Sequence, residues 1–135
     1  MMAIPKDLLN LLKKKGLTLG SVESLTGGLF GSSLCSVPGA SEVYLGGLIT
    51  YDSKEKVALA KVDPKTIERY SVVSAEVAEQ MARGGLEALG VDVCVAATGN
   101  AGPTVCPGGA SVGTVFLAIA RQGRVETIPL HLHVG

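Results

Sequence analysis

Residues 91–97, VDVCVAA, are apolar at every position except Asp92, and this run limits the folds open to the chain. Strands buried on both faces read as continuous apolar runs, and they occur inside sheets that helices cover on two sides. Helical patterns and short apolar strands alternate before this run. The sequence therefore predicts an α/β domain with a largely parallel sheet.

The other elements follow from the spacing of apolar residues and from turn residues. Predicted helices cover residues 5–15, 27–36, 53–60 and 65–70, and a longer helix begins after Ser74 and ends at Gly90. Predicted strands cover residues 17–22, 44–51, 91–97, 112–120 and 124–133. Gln122-Gly123 is a hairpin signal between the last two. The expected architecture is a three-layer α/β/α sandwich with a mixed, mainly parallel sheet and a C-terminal antiparallel hairpin.

Composition and charge exclude some classes of partner. The 135 residues fit one domain, and 47% of them are apolar, which is enough for a core. Twelve basic and twelve acidic residues cancel, which argues against a general nucleic-acid or anionic-membrane surface. The basic run Lys13 to Lys15 closes a predicted helix, where it interacts favourably with the helix C-terminus. We expect neither a nucleic-acid nor a membrane partner.

The cysteines and the absence of a targeting pattern predict a cytoplasmic protein. Cys35, Cys94 and Cys106 are an odd number without CxxC spacing, which fits a reducing compartment. Cys106 lies in a glycine- and proline-rich loop, where exposure and catalysis are conceivable, but the buried-hydrophobe interpretation suits the other two. No apolar run approaches the length that spans a bilayer.

Three polar stretches follow predicted strands at their carboxyl ends. They are residues 23–28 (ESLTGG), 50–56 (TYDSKEK) and 98–103 (TGNAGP). Ligands of open α/β sheets bind beyond the carboxyl ends of the strands. The convergence of hydroxyls, a lysine and glycines at this edge predicts a ligand site there.

The first stretch has two interpretations. Glycines allow close approach of a backbone, and free N–H groups at a helix start attract an anion or an oxyanion. Alternatively, Ser24 or Thr26 only caps the following helix. The stretch is neither a P-loop nor a GxGxxG turn.

A serine nucleophile needs a base, and the sequence offers a lysine for it. His131 and His133 lie late in the last strand, and one HxH pair is poor support for a triad or a metal site, so no metal is expected. Lys56 lies five residues after Tyr51, whose hydroxyl can hydrogen-bond the amine. A lysine base must be partly desolvated, so that its pKa falls. Surface and catalytic interpretations of Lys56 both stay open.

Four blocks of the chain resemble the CinA C-terminal domain family, which includes bacterial nicotinamide-nucleotide amidases (NMN deamidases). They are VESLTGG, GGLITYDSKEKVAL, SVVSAEVAEQMARGGLEALGVDVCVAATGNAGP and SVGTVFLAI, in order over residues 17–120. The resemblance implies hydrolysis of nicotinamide mononucleotide (NMN) to nicotinic acid mononucleotide and ammonia. It also implies an α/β/α sandwich, no metal or organic cofactor, and a homodimer or higher homo-oligomer.

The resemblance assigns roles residue by residue. Ser24 resembles the nucleophile, Lys56 the general base and Tyr51 its hydrogen-bonding partner. The second wall of the site is assigned to Thr98, Gly99, Ala101 and Gly102. Backbone donors toward either the oxyanion or the phosphate are assigned to Thr26, Gly27 and Gly28.

The chain also departs from the family pattern. Leu25 and Asn100 replace a usual cysteine and a usual apolar residue, and members continue past the position of Gly135 with an arginine-bearing segment and a final helix. We therefore expect residues 1–135 to be one CinA C-terminal-like domain without that segment. An alternative function is a non-catalytic nucleotide-binding or interaction domain. The intact Ser24, Tyr51 and Lys56 favour the enzyme, whereas the missing segment favours the binding domain.

Overall fold

A computed structural model describes residues 3–102 and 111–132. Its helices are α1 (Ala3–Lys15), α2 (Leu29–Cys35), α3 (Ser53–Ala58), α4 (Pro64–Tyr70) and α5 (Ala75–Leu89), with a 3-10 turn at Ala40–Glu42. Its strands are β1 (Leu19–Glu23), β2 (Tyr44–Ile49), β3 (Val93–Gly99), β4 (Thr114–Arg121) and β5 (Arg124–His131). Every predicted element that lies within the described residues is present, and the bounds differ by a few residues.

The five strands form one sheet in the order β2-β1-β3-β4-β5. β1 pairs in parallel with β2 and with β3, whereas β3–β4 and β4–β5 are antiparallel. Arg121 pairs with Arg124 across the Gln122-Gly123 turn, and Gly123 has the positive φ of 73° that this turn requires. The mixed sheet and its C-terminal hairpin confirm the expected fold class, although two of the four strand pairings are antiparallel and the sheet is therefore not mainly parallel.

Two apolar clusters lie on opposite faces of the sheet. On one face, α5 packs Val77, Met81 and Ala82 against Val22 of β1 and Cys94 of β3. The other face holds α1 and α2, and its cluster consists of Leu9, Leu12, Leu19, Leu34, Val37, Ala40, Val43 and Val93. Helices on both faces explain why residues 91–97 are apolar almost throughout.

Three elements near the carboxyl edge of the sheet begin or end at residues other than the predicted ones. β2 ends at Ile49, so Thr50 and Tyr51 lie in the connection to α3. β3 continues to Gly99, because Thr98 and Gly99 pair with Phe116 and Val115 of β4. α2 begins at Leu29 rather than at residue 27.

Some sequence-based predictions are only partly covered by the structure. Cys106, Pro103 and His133 lie outside the described residues, whereas His131 is an exposed residue at the end of β5. Over residues 3–102 and 111–132, no group of three or more His, Cys, Asp or Glu side chains could hold a metal ion. No helix in this part of the chain is both long and apolar enough for a membrane span.

α5 packs closely against the chain before α4 and against β1, and at two positions there is no room for a side chain. A Cβ at Gly84 would overlap the Ala60 carbonyl group, and a Cβ at Gly85 would overlap Val22. Glycine inside a helix normally costs about 0.5–1 kcal/mol relative to alanine. Both glycines are therefore retained by packing rather than by helix propensity.

We expect Gly84→Ala to lower the free energy of unfolding by about 1–3 kcal/mol, because overpacking outweighs the gain in helix propensity. Urea unfolding of the purified variant measures this change. Glu87→Ala, at an exposed position of the same helix, is the matched control and stays close to wild type. A more stable Gly84→Ala protein would contradict the close approach of α5 to Ala60.

Candidate active site

The carboxyl ends of β1, β2 and β3 meet around Ser24. The Ser24 N–H donates to the Ala97 carbonyl of β3 at 3.1 Å, and the Thr50 N–H after β2 donates to the Glu23 carbonyl at 2.7 Å. These bonds extend both parallel pairings to the end of β1. The three polar stretches therefore meet at one edge of the sheet, as the sequence predicted.

Lys56 brings its amine from α3 to the Ser24 hydroxyl. The side chain is only 2% exposed, and among the described residues it is the largest fully buried side chain. Its Nζ lies 2.9 Å from Ser24 Oγ, 2.7 Å from the Thr50 carbonyl oxygen and 3.3 Å from the Tyr51 carbonyl oxygen. The side chain of Asp52 starts α3 by accepting from the Lys54 N–H at 3.1 Å. The Lys56 side chain therefore extends from α3 to Ser24, the candidate nucleophile.

The environment of the amine lowers the cost of its neutral form. Burial lowers the pKa of Lys56 below its ordinary value of 10.5, and the nearby charge of Asp52 opposes this shift. A neutral amine has two N–H donors and one lone pair. A neutral amine that donates to both carbonyl oxygens would turn its lone pair toward the third neighbour, the Ser24 hydroxyl. This arrangement suits a general base.

Tyr51 contacts the amine differently from our expectation. The expected contact used its phenol hydroxyl, but the acceptor in the structure is its main-chain carbonyl. The side chain is 75% exposed at the mouth of the site. Because a main-chain oxygen makes the contact, residue type at this position does not determine it.

Ser24 and Lys56 open into a cavity of about 270 Å³. The sequence-predicted residues Tyr51, Thr98, Gly99, Ala101 and Gly102 line it as well. Sequence reasoning did not assign lining roles to Leu25, Ser53, Val72, Val73 and Asn100. Of these, Leu25, Ser53 and Asn100 lie within the three polar stretches predicted to meet at this edge, whereas Val72 and Val73 carried no signal.

Hydrogen bonds hold the second wall of the cavity. The Thr98 hydroxyl donates to the Val72 carbonyl at 2.8 Å, which ties β3 to the α4–α5 connection. The Asn100 side-chain oxygen accepts from the Gly102 N–H at 2.9 Å. Thr98 is thus a structural part of the wall, with its hydroxyl proton directed at Val72.

The main-chain N–H groups of Gly27 and Gly28 donate to acceptors within the chain. The Gly28 N–H donates to Glu23 Oε1 at 3.2 Å, and the Gly27 N–H donates to the Ser24 carbonyl at 3.1 Å. This revises the expectation that these N–H groups hold an oxyanion or a phosphate. Their positive φ values of 59° and 106° give the glycines a conformational role instead.

Neither hydroxyl of this stretch caps α2. The Ser24 hydroxyl faces Lys56, and the buried Thr26 Oγ1 has no partner within residues 3–102 and 111–132. The Glu23 carboxylate accepts from the Gly28, Phe30 and Gly31 N–H groups and caps the helix instead. In the described part of the chain, the N–H groups of Leu25 and Thr26 have no acceptor. They are the unoccupied donors closest in sequence to Ser24.

Comparison with known proteins gives one consistent result. The model of the CinA C-terminal domain family matches residues 2–134. The chain is 50% identical over 115 residues to a CinA-like protein of Chlorobaculum tepidum, covering 85% of this chain and 27% of that protein. It is 38% identical over 128 residues to a CinA-like protein of Leptospira borgpetersenii, covering 95% of this chain and 30% of that protein.

Solved structures agree with these relatives. A CinA superfamily protein from Escherichia coli superposes with a TM-score of 0.94 at 34% identity, over 96% of this chain and 76% of that one. A competence or damage-inducible protein from Enterobacter asburiae gives 0.95 at 31% identity, over 98% of this chain and 84% of that one. The chain spans about a third of the length of the curated relatives it matches.

The buried amine predicts a characteristic pH dependence of stability. Between the lowered native pKa and 10.5, the unfolded chain binds a proton at Lys56 that the native chain lacks, so stability rises with pH. The free energy of unfolding of wild type minus that of Lys56→Met should therefore increase across this window, by at most about 1.4 kcal/mol per pH unit. Urea unfolding of both proteins from pH 7 to 10.5 measures the difference, from which the other titrating groups cancel. A difference that does not change with pH would show that the amine has an ordinary pKa.

Proposed function

Because the chain belongs to the CinA C-terminal domain family, we propose that it is an amidohydrolase that converts NMN to nicotinic acid mononucleotide and ammonia. The observation that carries the proposal is the 2.9 Å contact between the buried Lys56 amine and the Ser24 hydroxyl. A lysine that is 2% exposed, with no carboxylate paired to it among the described ion pairs, is costly for a fold to keep. Its cost is explained if the neutral amine is used as a base.

The first half of the reaction acylates Ser24. Neutral Lys56 takes the hydroxyl proton as Ser24 Oγ bonds to the carboxamide carbon, and the carbonyl oxygen becomes an oxyanion. The Leu25 and Thr26 N–H groups are the proposed donors to it, and one such donor contributes roughly 3 kcal/mol to lowering the barrier. The protonated amine then gives its proton to the amide nitrogen, the C–N bond breaks, and ammonia leaves.

The second half releases the acid. Water attacks the ester carbon while Lys56 takes one of its protons, which forms a second tetrahedral intermediate. That intermediate collapses, the bond to Ser24 Oγ breaks, and Lys56 returns the proton to the serine. Nicotinic acid mononucleotide is the product, and the enzyme is regenerated. Two main-chain carbonyls hold the amine throughout, so the base keeps its aim between steps.

The cavity is large enough for only part of the substrate. Pockets that enclose whole drug-sized ligands are usually about 300–1,000 Å³, and this one is about 270 Å³. We therefore place the nicotinamide ring inside and the ribose phosphate outside. A second cavity of about 490 Å³ adjoins the first at Ser53 and Val72, and Arg69 on its wall supplies a cation for the phosphate.

A second candidate function is a non-catalytic nucleotide-binding or interaction domain. It is favoured by coverage, since the chain corresponds to 27–32% of the length of the matched relatives. Such a domain could be one module of a longer protein. It would bind NMN without releasing ammonia, so one assay distinguishes the two functions.

We expect Ser24→Ala and Lys56→Ala each to abolish ammonia release from NMN, because the first removes the nucleophile and the second the base. Incubation with NMN, followed by separate measurement of ammonia and nicotinic acid mononucleotide, tests this. Lys54→Ala is the matched control, since this exposed lysine lies in the same helix. Normal turnover by either active-site variant would refute the mechanism, and NMN binding by wild type without turnover would favour the second function.

The pH profile of the reaction should follow the base. Because only neutral Lys56 accepts a proton, kcat/KM should rise with pH through one ionisation below the ordinary lysine value of 10.5, and then level off. Initial rates with NMN across this range give the profile. A profile that falls with rising pH would instead require a protonated group in this role.

A further inference from the structure

We propose that Glu23 is a positioning residue, whose carboxylate holds the loop from Ser24 to Gly27 in the geometry that catalysis requires. The proposal rests on the hydrolase function proposed for the Ser24–Lys56 pair. It assigns to the acidic residue before the nucleophile a task that is separate from proton transfer and from substrate contact.

The carboxylate is fully engaged at the start of α2. Oε1 accepts from the Gly28 N–H at 3.2 Å and the Phe30 N–H at 2.9 Å, and Oε2 accepts from the Gly31 N–H at 2.9 Å. Glu23 is only 3% exposed. A Cβ at Gly31 would lie 2.6 Å from the Tyr44 hydroxyl oxygen and 3.3 Å from Oε2, so the glycine leaves room for both side chains.

Glu23 thereby closes a four-residue loop at both ends. Its main chain ends β1, where its carbonyl accepts from the Thr50 N–H at 2.7 Å and the next N–H reaches Ala97 at 3.1 Å. Its side chain holds the far end of the loop at Gly28. Inside the loop, the Gly27 N–H donates to the Ser24 carbonyl at 3.1 Å. The nucleophile and the free N–H groups of Leu25 and Thr26 lie between two fixed points.

Adjacent strand residues point to opposite faces, and this explains the division of tasks. The Glu23 side chain lies on the α2 face, whereas the Ser24 hydroxyl lies toward Lys56. A carboxylate near the reacting serine would stabilise a protonated amine and oppose its use as a base. On the α2 face, the carboxylate can fix the loop without contacting Lys56.

Helix capping alone does not account for this residue. A serine or aspartate at the N-cap position would accept from an N–H group of the first helical turn, as Ser74 accepts from the Val77 N–H in α5, but it would not reach the Gly28 N–H. Glu23 lies five residues before the Gly28 N-cap, and the described ion pairs do not include it. A buried carboxylate is expensive without such a partner. Because Glu23 belongs to β1, its carboxylate links β1 to the start of α2 across the loop, which a residue at the N-cap position cannot do.

The same contacts argue against anion binding at the N-terminus of α2. Three of its first N–H groups already have a carboxylate, so a substrate phosphate would have to displace a buried negative charge. The donors left in the loop are next to Ser24, where an oxyanion forms. The glutamate therefore also restricts which backbone groups face the substrate.

The test compares Glu23→Gln with Asp63→Asn, a matched variant that removes the charge of a helix-capping carboxylate at α4. Two readouts are used: kcat and KM for NMN, and the rate at which an alkyl fluorophosphonate labels Ser24, followed by mass spectrometry. We expect Glu23→Gln to lower kcat and the labelling rate by about 10- to 100-fold, because small displacements of a nucleophile cost this much. KM should stay within about twofold, since the carboxylate does not contact substrate. Asp63→Asn should retain wild-type values of both rates.

Folding is checked by circular dichroism and thermal unfolding. If Glu23→Gln does not fold, Glu23→Asp replaces it, because this residue keeps the charge but is one methylene too short to reach all three N–H groups. A folded variant of either kind with wild-type kcat and wild-type labelling would overturn the proposal. Wild type that is labelled at Ser24 but does not hydrolyse NMN would refute the proposed substrate, and the labelling comparison would still decide the role of Glu23.

Discussion

Burial of the Lys56 amine is the interaction on which the rest of the site depends. Desolvation lowers the pKa of the amine, and two main-chain carbonyls accept its N–H groups at 2.7 and 3.3 Å. These oxygens follow β2, so the sheet itself holds the base. The lower pKa makes the neutral amine easier to reach, and a serine hydroxyl needs such a base to act as a nucleophile. In the proposed reaction, the Ser24 hydroxyl at the end of β1 gives its proton to this amine, whose Nζ lies 2.9 Å away.

The fold supplies this environment by bringing three strand ends together. β1 ends at Glu23 and leads directly to Ser24, and β2 leads to Thr50 and Tyr51. The end of β3 contributes Thr98 and Gly99 to the wall of the cavity. Hydrogen bonds between the strands continue one residue beyond β1, so the sheet holds the main-chain N–H of Ser24 at the start of the loop. The adjacent residues 23 and 24 use opposite faces for different tasks. One holds the start of α2, and the other faces the cavity.

Much of this arrangement was predictable from residue patterns. The apolar run at residues 91–97 predicted a central buried strand, and Gln122-Gly123 predicted the hairpin, because both signals are local. The placement of Ser24, Lys56 and Thr98 at one edge followed from the rule for carboxyl ends of strands. The Tyr51 contact did not follow, since its carbonyl oxygen, and not its phenol, meets the amine. The roles of Gly27 and Gly28 did not follow either, because the acceptor for Gly28 comes from a residue outside the helix.

Residue patterns along the chain were enough to predict the order of helices and strands, the apolar faces that they bury and the residue types available at the edge of the sheet. These properties depend on neighbours along the chain and on periods of 2 and 3.6 residues. The folded domain was needed to show which donors are occupied, which carbonyls hold the amine and how far the amine lies from the hydroxyl. Those outcomes depend on atoms that are distant in sequence, such as Ser24 and Lys56, which are 32 residues apart. Hydrogen bonds tolerate only a few tenths of an ångström, and only the packing of the whole domain fixes positions that closely.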